Sequence, residues 1–108
     1  MDKARQLEQL GRLADAAFEQ QAEVLGRLLR KEVQLRDRSA SVRTQFAAND
    51  LFADLATSER SRENWQNARL IEINGQRALL KAEIEVAMRD LRYAFGRKTA
   101  VSELRKKL

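Results

Sequence analysis

One line of apolar residues runs through the second half of the chain and constrains everything else. Leu70, Ile73, Leu80, Ile84, Ala87, Leu91, Ala94, Val101 and Leu108 recur in alternating steps of three and four, and Arg77, Lys98 and Arg105 fall on the same line. That spacing is a heptad seam, one narrow stripe on a helix whose other faces are filled with Arg, Lys and Glu. A stripe this narrow predicts burial against another helix rather than a globular core.

The first half carries a matching pattern. Asp2 is placed to cap a helix, and the expected seam runs through Leu7, Leu10, Ala14, Ala17, Gln21, Val24, Leu28, Lys31, Leu35, Arg38 and Val42. Leu13, Phe18, Leu25 and Leu29 lie beside it on this half, and Leu79, Val86 and Tyr93 beside the seam of the other. Between the halves, Asn49-Asp50 favours a turn. Leu51-Phe52-Ala53-Asp54-Leu55 reads as a short apolar cluster at the tip, where Leu51, Phe52 and Leu55 form either a cap or a docking patch.

The predicted fold is therefore all-α, a long antiparallel two-helix coiled-coil hairpin. It is one domain over residues 1–108, with helix one over about 2–46, a tip over about 47–60 and helix two over about 61–107. Folding at the tip sets Ala14 opposite Ala94, Ala17 opposite Leu91, Leu28 opposite Leu80 and Leu35 opposite Ile73. One level, Lys31 with Arg77, juxtaposes like charges, with Glu32 near enough to neutralise one. Each arm of about 45 residues spans roughly 65 Å. The flanking Leu25, Leu29, Leu79 and Val86 predict dimerisation into a four-helix bundle.

Composition agrees with long helices. Of 108 residues 34% are charged, Pro is absent and Gly numbers four. No run reaches the roughly 18–20 apolar residues of a membrane span, and the N-terminus has no apolar stretch of signal-peptide type, so the expected location is cytoplasmic. Cys and His are both absent, which removes thiolate metal sites, disulfides and the commonest general base near neutral pH. Glu19 and Glu23 share a helix face but read as solvated charges, and the serines have no base beside them. Gly75 and Gly96 are isolated glycines and form no phosphate loop. No catalytic, cofactor-binding or metal-binding residues are expected, and the chain reads as a non-enzyme.

The charge points to a partner. The net charge of +5 and pI near 10.1 arise in the last twenty residues, where Arg89, Arg92, Arg97, Lys98, Arg105, Lys106 and Lys107 face only Asp90 and Glu103. Cations at a helix C-terminus complement the macrodipole, which accounts for Arg105–Lys107 but not for residues a few turns earlier. Arg89, Arg92, Arg97 and Lys98 are the expected partner-binding residues, and the expected partner is a protein with an acidic surface. A basic helical hairpin binding nucleic acid is the alternative, though Tyr93 and Phe95 are the sole aromatics in that stretch. A generic homodimeric coiled-coil adaptor is a third reading.

Two local runs touch known families. Asn64-Trp65-Gln66-Asn67 is similar to the centre of small secreted WXG hairpins except that position 67 is Asn and not Gly. Trp65 is accordingly read as packing on Phe46 or Phe52. The layout of two long helices without Pro or Cys, with the basic run Arg89-Asp90-Leu91-Arg92-Tyr93-Ala94-Phe95-Gly96-Arg97-Lys98, resembles the flagellar and virulence type III export stalk proteins (the FliJ/YscO group). That resemblance implies an antiparallel coiled coil like a rotary ATPase stalk, contacting the export ATPase ring and gate and passing on export chaperones.

Overall fold

In the computed structural model of the chain the described residues are 2–50 and 56–108, with side chains described outside 45–59. They form two helices, α1 (Asp2–Asp50) and α2 (Ala56–Lys106), and the fold is an all-α antiparallel hairpin. Both helices run further toward each other than the sequence predicts. Residues 47–50 and 56–60, expected in the tip, are helical, because adding a turn to an existing helix costs far less than nucleating one and outweighs the poor propensity of Asn49 and Asp50. The expected cluster Leu51, Phe52 and Leu55 lies outside the described residues. Trp65 is exposed, and its expected partners Phe46 and Phe52 also fall outside the described side chains.

The chain divides into two compact units. The terminal unit joins Met1–Leu29 to Glu83–Leu108, and the central unit comprises Arg30–Ala82.

Between Leu70 and Val101 the seam of α2 follows the sequence pattern residue for residue, whereas Leu108, expected to end it, lies past the helix and is exposed. From Leu70 to Val101 the buried or half-buried positions are Leu70, Ile73, Arg77, Leu80, Ile84, Ala87, Leu91, Ala94, Lys98 and Val101, and every other residue is exposed. Arg77 and Lys98 occupy seam positions despite their charge.

The seam of α1 corrects the expectation at alternate positions. Leu7, Ala14, Gln21, Leu28, Leu35 and Val42 are buried or half-buried as predicted. The intervening positions lie one residue later than predicted. They are Gly11, Phe18, Leu25, Glu32 and Ser39, while Leu10, Ala17, Lys31 and Arg38 are exposed and Val24 stays half-buried at the edge. The physical reason is pairing across the helices. This rotation turns two cations, Lys31 and Arg38, out of the seam, brings in Phe18 and Leu25, and sets a carboxylate where a like-charge clash was expected.

In the central unit that carboxylate is Glu32, whose Oε1 accepts a hydrogen bond from Arg77 Nη2 at 2.9 Å. Both side chains are about three-quarters shielded from solvent, so the pair is screened less than a surface bridge. Arg77 Nε and Ser39 Oγ are buried without a hydrogen-bond partner among the described residues. Val42, Ile73 and Leu80 complete the buried set of this unit.

The terminal unit packs differently. Its buried apolar residues are the small Ala87 and Ala94. Phe18 tilts against Phe95 with ring centroids 5.9 Å apart, within the range where aromatic pairs attract. Lys98 Nζ sits 4.7 Å from the Phe18 ring centroid and 3.8 Å from Asp15 Oδ1. Gly11 is buried, and an added Cβ there would come 3.0 Å from Arg105 Nη1.

Surface ion pairs such as Glu8 with Arg12 and Glu103 with Lys106, both 3.4 Å, are exposed and contribute little. At its end α2 tightens into shorter-range backbone bonds, with Lys107 N donating to Leu104 O and Leu108 N to Arg105 O.

Candidate functional site

The four cations singled out in the sequence all belong to the terminal unit but do not form one patch. Arg89 and Arg92 are exposed, and their spacing of three places them as neighbours on one helix face, turned away from the seam. Neither enters a salt bridge among the described residues. Arg97 lies on a different face, with its guanidinium carbon 5.9 Å from the centroid of the Tyr93 ring. Lys98 is half-buried in the seam and engaged by Asp15 and Phe18. The free pair is thus Arg89 with Arg92, while Lys98 is a packing residue with a charged tip.

Beside the seam of the same unit lies an open groove of ≈ 270 Å³. Ala14 and Ala94 form its floor, Leu10, Leu13 and Ala17 one wall, and Tyr93 with Arg97 the other. Leu13 is 67% exposed and Tyr93 70%, so large apolar side chains stand at the rim without a covering partner in the hairpin. The sequence missed this groove because it assigned Leu10 and Ala17 to the seam. The shift of the alternate seam positions of α1 by one residue turns both outward, beside Leu13, and makes a wall of what was expected to be core.

Other residues expected to flank the seam also divide. Phe18 and Leu25 are drawn into it, whereas Leu29, Leu79, Val86 and Tyr93 stay exposed. Leu25 is therefore unavailable for the expected dimer contact.

Among the described residues no cluster of three or more acidic side chains is placed to hold a metal ion, and no helix is long and apolar enough to cross a membrane. No protein family, curated protein or solved structure matches the chain.

Proposed function

We propose that the chain is a non-enzymatic coiled-coil component of a type III protein export apparatus, a stalk or chaperone escort that works in the cytoplasm and docks on the export ATPase. The observation that carries this reading is the Arg89–Arg92 pair. Two cations stand one turn apart on the outward face of α2, without acidic partners among the described residues. Unpaired surface cations chiefly raise encounter rates with an acidic surface and fix orientation on it.

The distribution of the other cations sharpens the proposal. Lys98 is held by Asp15, and Arg97 by the face of Tyr93, so docking falls mainly to Arg89 and Arg92. Reversing this pair to Glu should abolish association with a purified export ATPase at low salt while circular dichroism shows unchanged helicity. A reversed protein that stays folded and binds as before overturns the docking. If the reversal removes salt-sensitive retention on DNA instead, nucleic-acid binding takes its place.

A further inference from the structure

We infer that the groove of the terminal unit is a self-association face, covered by a second copy of this chain packed antiparallel to the first, α2 against α2. The inference stands apart from ATPase docking, because it uses a different face of the unit and leaves Arg89 and Arg92 exposed.

Two charged residues line the groove, Asp90 and Arg97, and both are on α2. They lie seven residues apart on one side of the helix, roughly 10 Å along its axis, with Tyr93 between them. Asp90 makes no salt bridge among the described residues although its neighbours in the groove are largely apolar. The α1 wall contributes Leu10, Leu13, Ala17 and Gln21, none of them a cation. Exposed to water as it stands, Asp90 would need a partner from the covering chain once the groove is closed.

A two-fold axis that crosses α2 level with Tyr93 supplies that partner. It brings Arg97 of the second copy to Asp90, and Asp90 of the second copy to Arg97, so one contact is made twice. This self-complementarity is the requirement of an isologous interface. A two-fold axis parallel to the helices fails the same requirement. It would lay Asp90 on the uncharged α1 wall of the second copy and leave both charges unpaired. The small floor residues Ala14 and Ala94 let the second hairpin approach closely, and Leu10, Leu13 and Tyr93 supply the apolar area that an exposed charge pair alone does not.

Sedimentation velocity over a wide concentration range at low salt tests the inference. The unaltered chain should show a monomer–dimer equilibrium. Asp90→Arg and Arg97→Asp should each weaken dimerisation about tenfold or more, because each sets two like-charge contacts across the axis. An equimolar mixture of the two variants should dimerise again, since the heterodimer restores opposite charges at both contacts, and so should the protein carrying both reversals. Both positions are exposed, and circular dichroism checks that helicity is retained. A chain monomeric at every concentration overturns the inference and assigns the groove to a different occupant. Single variants that dimerise like the unaltered chain overturn it as well, as does a mixture no tighter than its components.

Discussion

The two units are built from the same heptad but close their seams in opposite ways. The central unit buries large side chains, Ile73, Leu80 and Val42, and places a shielded ion pair, Glu32 with Arg77, among them. The terminal unit fully buries only alanines and a glycine; Phe18, Leu28, Ile84 and Leu91 are half-buried in its seam, and Leu13, Tyr93 and Phe95 stand outside. Large seam residues fill the space between two helices, whereas small ones let the helices approach and leave flanking side chains uncovered. A two-helix hairpin has only one seam, so each large residue placed outside it forms a surface for something else. The central unit has the better-filled seam, but both units leave large apolar residues uncovered, Trp65, Ile71 and Leu79 in the central unit as much as Leu13, Tyr93 and Phe95 in the terminal one.

The largest expected effect separates the two seams. Ile73 is 2% exposed, so Ile73→Asp should cost about 4 kcal/mol by burying a carboxylate without a partner. Ile84, half-buried in the terminal unit, should cost about half as much on the same change, because its carboxylate reaches water more readily. Thermal or urea unfolding followed by circular dichroism measures both. Equal losses would erase the contrast between a filled seam and an open one.

A smaller effect probes the polar level of the central unit. Glu32→Ala leaves the Arg77 guanidinium shielded and uncompensated, and should cost about 2 kcal/mol in denaturant unfolding. Replacing both residues by Leu should recover that loss or exceed it, since paired apolar groups avoid the desolvation of two charges. The pair's value then lies in register. It matches Glu32 to Arg77 and disfavours the alternative rotation that would put Lys31 there. If the double variant is less stable than the single one, the ion pair contributes net stability and this account of it fails.

The smallest effect is a gain. A Cβ at Gly75 or at Gly96 would meet nothing within 4 Å, so each change to Ala should raise stability by up to about 1 kcal/mol through helix propensity alone. Gly11→Ala should gain less, since its Cβ must displace the tip of Arg105. Differential scanning calorimetry resolves the ranking. A gain at Gly11 equal to that at Gly75 would mean that the close approach of Arg105 carries no energetic weight.

The sequence by itself determined the helical class, the antiparallel pairing and the seam of α2 from Leu70 to Val101. On that helix the apolar residues follow one line with no competing line of similar strength, and even Arg77 and Lys98 are placed by the period alone. On α1 the sequence determined only one residue in each heptad, the set Leu7, Ala14, Gln21, Leu28, Leu35 and Val42. The second residue of each heptad was ambiguous, because Leu10, Ala17 and Val24 make as good an apolar line as Phe18 and Leu25 when the helix is read in isolation. Only the tertiary structure decided between them. The deciding terms, Glu32 on Arg77 and Phe18 against Phe95 and Lys98, are contacts across two helices that no single helix's period contains. The same rotation decided the candidate surfaces. The surplus of charge at Arg89–Lys98 was legible as composition, but its division into a free pair, a ring-bound arginine and a seam lysine depended on which face of α2 met α1. The groove at Leu10, Leu13 and Tyr93 was hidden for a related reason, since exchanging one seam position per heptad for its neighbour turns the helix by roughly 50°, half of the roughly 100° per residue, and that is enough to carry Leu10 and Ala17 outward.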